Sequence, residues 1–159
     1  MVARTEKGFS LVELMIVMVI LGIMVTMAIP SLDLVFSKDK LRKSTSTVTA
    51  SLYTARMKAV NDAEPYGVQL NTNGDFYLIR DPEGDNEIRG ATNHLEEGIS
   101  FSTITFQNDL VIFNEFGQLK KSCLPSGVYT GQIMVTNGSV DSTMIEITFL
   151  TGRIRETNL

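Results

Sequence analysis

Cysteine and histidine are almost missing from this chain, which has one of each, Cys123 and His94. A single cysteine excludes an internal disulfide. It is read as a small buried hydrophobe, with pairing to another molecule as the alternative. His94 has no HxxH or CxxC companion, so a metal role is set against a plain loop or surface histidine, and the latter is preferred. Also missing are a GxSxG or other nucleophile–base–orienter set, a phosphate loop, a dinucleotide fingerprint and any internal repeat. No cofactor is implied, and the expectation is a protein that is not an enzyme. Positive charge is not in excess either. The formal net charge is −4, so no global basic field draws in nucleic acid or an anionic surface, and any such contact needs a local patch.

What is present is concentrated at the start. The 159 residues allow one globular domain and an anchor; they are 43% hydrophobic and 20% charged, but the apolar residues are unevenly spread. Residues 9–29 read FSLVELMIVMVILGIMVTMAI, in which Ser10, Glu13 and Thr26 are the clearly polar positions. An apolar run of about 20 residues spans a hydrocarbon core of about 30 Å as a helix. The segment MVARTEKG precedes it, and the positive charge of Arg4 and Lys7 holds that end on the cytoplasmic side, leaving the bulk of the chain across the membrane. No small-residue export cleavage site follows the run. The small residue is Gly8, ahead of it, and cleavage there would remove the charged leader and keep the helix.

Glu13 is a carboxylate in an apolar helix and calls for a partner. Cleavage between Gly8 and Phe9 would create an ammonium on Phe9 at a similar depth. In a staggered bundle, Glu13 of one subunit would pair with the Phe9 amine of its neighbour and so fix register, because a slip strands two charges in an apolar medium. The alternative is a Glu13 that snorkels to the interface or is protonated.

The stretch Gly8-Phe9-Ser10-Leu11-Val12-Glu13-Leu14, the apolar run behind it and Pro30 resemble the type IV pilin and type II secretion pseudopilin superfamily. That resemblance implies a prepilin peptidase that cuts after Gly8 and N-methylates Phe9. It further implies a subunit held in the bacterial inner membrane by a single span, with its C-terminal domain periplasmic. From there the subunit joins other pilins or pseudopilins through the N-terminal helix. Three shorter stretches are similar to GspH/FimT-type minor subunits: SLYTARMKAV at 51–60, Glu115-Phe116-Gly117, and ITFLTGRIR at 147–155. In the FimT-type branch the closing G-R-x-R is associated with DNA binding during uptake.

Beyond Pro30, expected to kink the helix, apolar residues recur at Leu34, Leu41, Val48, Leu52, Ala55 and Ala59. These steps are sums of three and four, the mark of an amphipathic helix. From Gly67 the period becomes two, with strands expected at 67–71, 76–81, 99–106, 110–113, 118–121, 132–136 and 144–151. Turn signals separate them, and Asn137-Gly138 is the strongest hairpin signal. The expected fold is α+β, a long helix packed on antiparallel sheet in the manner of a pilin. The expected organisation is a leader at 1–8, a transmembrane and filament-core helix at 9–30, an amphipathic helix at 31–61 and a β-rich domain at 62–159. Within that domain the acids of 81–87 are read as a solvated loop rather than a calcium site, since the glycine is misplaced for an EF-hand. Arg153 and Arg155, two apart on a strand, would point to one side as a two-pronged clamp for DNA phosphate, extended by Lys120 and Lys121 if the fold brings them near. The alternative is a solubilising strand end paired with nearby acids such as Glu156.

Overall fold

The computed structural model describes residues 9–84, 87–138 and 141–159, apart from the side chains of 27–34. Gly8 with the leader lies outside the described residues; Pro30, where a kink was expected, lies within one continuous helix, and its side chain is not among those described. The chain divides into two compact units, Met1–Phe36 and Ser37–Leu159.

Helix α1, Leu11–Asp62, contributes to both units. Its first turn carries Glu13, a charge suited to the positive end of the helix dipole. Its end is set by Ala63, whose φ of 52° is left-handed, and by Pro65, which cannot continue the helix. In the second unit one stripe of α1 is buried: Leu41, Val48, Leu52, Ala55 and Ala59 are each 5% exposed or less. These are residues that the steps of three and four picked out.

The stripe is covered by two four-stranded antiparallel sheets. One is built from β1 (Tyr66–Leu70), β2 (Asp75–Arg80), β3 (Ile88–His94) and β5 (Leu110–Phe113), in the order β3-β2-β1-β5. The other holds β4 (Ser100–Ile104), β6 (Thr130–Thr136), β7 (Ser142–Thr148) and β8 (Ile154–Asn158), in the order β4-β6-β7-β8. Strands β6 and β7 alternate buried and half-buried residues, with Ile133, Val135, Ile145 and Ile147 turned inward. A single core joins the helix stripe and both sheets. Phe76 of one sheet meets Phe101 of the other edge to face, with ring centroids 6.5 Å apart. Gly131 makes room in the second sheet, since a Cβ there would lie 2.0 Å from the Phe106 ring. The α+β reading therefore holds.

The structure corrects the strand reading in three places. The stretch 118–121 is no strand: Leu119 makes one bridge to Phe113, and a 3-10 turn, Lys121–Cys123, follows. The final strand expected at 144–151 stops at Thr148. Gly152, with φ +59°, folds the chain back, its N–H reaching Thr148 O at 2.9 Å while Thr148 N–H reaches Arg153 O at 3.0 Å. The residues beyond form a separate strand, β8. Strand β3 has no counterpart in the reading because every one of its residues is exposed, so no apolar alternation marks it.

Candidate functional site

Two places hold the residues that the sequence singles out. The first is the start of α1. All the large hydrophobic side chains from Phe9 to Val25 are exposed, between 49% and 82%. Burying one such side chain is worth about 1.5–3 kcal/mol, so a helix that shows them on every side is built to be covered by lipid or by other helices. Among the described residues no helix is long and apolar enough to cross a membrane. The described side chains of the apolar run end at Thr26, short of the Ile29 that closes it in the sequence. Thr26 satisfies its hydroxyl internally, on Ile23 O at 2.8 Å. Glu13, exposed, makes no hydrogen bond or ion pair among the described residues. It is the one ionisable side chain between Phe9 and Thr26.

The second place is β8. Arg153 precedes this edge strand and Arg155 lies within it, paired in register with Glu146 of β7. Ile154 between them is buried, so the two arginines share the opposite, outer face. Both are exposed, and neither side chain makes a hydrogen bond or ion pair among the described residues. Two lysines expected to extend the patch are engaged elsewhere. Lys120 bonds Glu83 at 2.5 Å, and Lys121 stands 5.9 Å from the Tyr129 ring centroid. The Lys120 and Ser122 hydrogen bonds hold the Glu83 carboxyl below its ordinary range. Glu87 is likewise tied to Arg89, so the acidic loop is partly neutralised by its own neighbours. Asp85 lies outside the described residues. His94, at the end of β3, is paired with Asp75. Cys123 is buried, and loss of solvent pushes its thiol up.

The structure also joins the three short stretches that the sequence could only treat separately. Arg56, within 51–60, donates from Nε to Gly117 O at 2.9 Å and from a terminal guanidinium nitrogen to Thr151 O at 3.0 Å. Gly117 and Gly152 both have positive φ, +70° and +59°, and they touch: a Cβ on Gly152 would lie 2.0 Å from Gly117 O. The Arg56, Glu115-Phe116-Gly117 and Gly152-Arg153 segments thus meet at one node. Sequence reasoning named these residues without seeing the node. The signal available was only that an arginine and two glycines occurred in three short recognisable stretches.

Comparison with known proteins agrees with this layout. The model of the prokaryotic N-terminal methylation motif matches residues 3–29. Fimbrial proteins of Pseudomonas aeruginosa are 31% identical over 97 residues, which is 57% of this chain. The matched stretch spans 62% of the length of those relatives. Among solved structures, the minor pseudopilin EpsH from the type 2 secretion system of Vibrio cholerae superposes with a TM-score of 0.58 at 9% identity, covering 74% of this chain and 96% of that one. The type IV minor pilin FimU of Pseudomonas aeruginosa gives 0.58 at 14% identity, covering 76% and 90%. At such identities the likeness shows the fold. Motif, fimbrial relatives and fold point the same way: the start of the chain is similar to the prokaryotic N-terminal methylation motif, and the fold is the one seen in the minor pseudopilin and the minor pilin.

Proposed function

We propose that this chain is a minor pilin or pseudopilin. A prepilin peptidase cuts it between Gly8 and Phe9 and methylates the Phe9 amine. It is then held in the inner membrane with its C-terminal domain in the periplasm, and it joins a type IV pilus or a type II secretion pseudopilus through α1. The observation that carries this reading is the apolar, exposed start of α1, with Glu13 as its one charge. Helices of this kind associate by packing against each other, and a buried acid among them selects a partner of opposite sign. The Phe9 ammonium of a neighbouring subunit supplies that sign. Mass spectrometry of protein extracted from membranes should find a chain that begins at methylated Phe9. Glu13→Ala should still insert, yet its incorporation into filaments should fall about tenfold or more, since the register-setting pair is lost. Normal incorporation would refute the pairing role.

A second reading adds DNA binding at the outer face of β8, favoured by two arginines that share that face and have no partner among the described residues. Each phosphate neutralised contributes about 0.9 to the slope of log affinity against log salt on duplex DNA. The full chain in detergent should therefore bind duplex weakly, and the Arg153→Ala, Arg155→Ala variant should lose about 2 from that slope. Equal binding by parent and variant removes this reading.

A further inference from the structure

Strand β8 has an edge that no other strand among the described residues covers. Thr148 N–H reaches Arg153 O, and Leu159 N–H reaches Ser142 O. Given the register from Thr143↔Asn158 to Ile147↔Ile154, the backbone groups of Arg155 and Thr157 also turn toward β7. Those of Ile154, Glu156 and Asn158 turn away from it. Helix α1 occupies one end of this edge, where the Tyr53 hydroxyl donates to Ile154 O at 3.4 Å. Toward Asn158, helix and strand leave a crevice of about 540 Å³ between them.

Three polar groups line the crevice without a partner among the described residues. Thr45 is 1% exposed and its hydroxyl oxygen makes no hydrogen bond. Burying a hydroxyl in that state is costly, and a ligand atom in the crevice would remove the cost. The Arg42 guanidinium and the Glu156 carboxylate lie on opposite walls, on α1 and β8, and also stand alone. Lys38, by contrast, is bridged to Asp141 at 3.6 Å. The crevice therefore offers one free cation, one free anion, a buried hydroxyl and a stretch of unpaired strand edge.

We propose that this crevice takes an extended segment of another polypeptide, which adds as a strand to the open edge of β8. Backbone groups of Glu156 and Asn158 would pair with the incoming segment. The Thr45 hydroxyl would bond one of its polar groups, and side chains of both signs would meet Arg42 and Glu156. A phosphate-rich ligand would instead face the carboxylates of Asp141 and Glu156. The inference stands on the crevice and does not depend on the filament reading.

The test pans the full chain in detergent micelles against a display library of random heptapeptides, then measures the affinity of the selected peptides by fluorescence anisotropy. Enriched peptides should carry both an acid and a base, and their binding should slow hydrogen exchange at the Glu156 and Asn158 amides. Glu156→Pro removes an outward N–H without touching the β7–β8 ladder, and Thr45→Val removes the hydroxyl at constant shape. Each should weaken binding about tenfold. Thr45→Val should keep or raise the melting temperature, which separates a lost contact from a lost fold. Selected peptides that bind Glu156→Pro as tightly as the parent overturn the proposal. So does panning that enriches nothing over empty micelles, or exchange that peptide leaves unchanged. Protection of the same amides that grows with protein concentration and needs no peptide also overturns it, assigning the edge to a second copy of this chain.

Discussion

The carbonyls of Gly117 and Thr151 belong to two loops far apart in sequence, and both accept from Arg56. A guanidinium is a planar fork, and here its two prongs fit two carbonyls at once. Removing it leaves both without that donor. Arg56→Ala should therefore lower stability by about 2–3 kcal/mol, given the cost of losing hydrogen bonds to a charged group. Arg56→Lys should recover less than half of that, because an ammonium cannot reproduce the fork. Urea midpoints measured at unchanged slope will read both values. The identity of Arg56 was legible as part of a short resemblance, but its task was not. The node depends on a hairpin at Gly152 that the sequence reading replaced with continuous strand. Arg153 and Arg155 fared differently. Their shared face follows from a spacing of two on any strand, so it survived an incorrect assignment of which strand holds them.

Helix α1 was the most legible element because its two halves bear strong and different patterns, apolar on all sides and then apolar along one stripe. Its stop was less legible. Asn61, Asp62 and Ala63 contain no glycine, yet Ala63 adopts the left-handed conformation that a glycine would take without strain. Ala63→Gly should raise stability by about 1 kcal/mol, measurable as a higher urea midpoint. Strands β1, β2, β4, β5, β6 and β7 were legible as short apolar stretches between turn signals; buried and half-buried positions alternate in β6 and β7, while β1 and β5 are almost wholly buried. Strands β3 and β8 were not, since β3 buries nothing and β8 buries Ile154 alone. Edge strands take their conformation from a neighbour's ladder more than from their own side chains. For the same reason the open edge of β8 had no mark in the sequence.

At the scale of the molecule, ion pairs tie distant segments together. Lys43 holds Glu96, Arg80 holds Glu64 and Lys120 holds Glu83. The basic run from Lys38 to Lys43 follows the apolar half of α1, and part of it is engaged in gripping loops. Lys40 reaches Glu97 O, Lys43 reaches Glu96, and the Ser44 hydroxyl accepts from Glu96 N–H. In all three ion pairs, the hydrogen bond from the cation holds the carboxyl below its ordinary range. A carboxyl depressed in the folded state binds fewer protons there than when unfolded. Its stabilising contribution is thus complete above about pH 4.5 and disappears as pH falls through the lower folded value. The melting temperature should drop between about pH 5 and pH 3. Lys120→Met, which leaves Glu83 only the Ser122 hydroxyl, should make that drop shallower. A variant with the same acid profile as the parent would show that the Glu83 pair does not contribute.

Within the second unit, the grip on α1 is spread along the helix from Ser37 to Arg56. Ser37 meets Asn137, Lys43 meets Glu96, Tyr53 meets Ile154, and Arg56 meets Gly117 and Thr151. A tug applied to the N-terminal end of α1 would meet these attachments together, as a bolt is held along its thread, and would not undo them one after another like a zip. Resistance to such traction is a matter of unfolding rate rather than of equilibrium stability. In this architecture, then, a modest fold can outlast brief strong pulls.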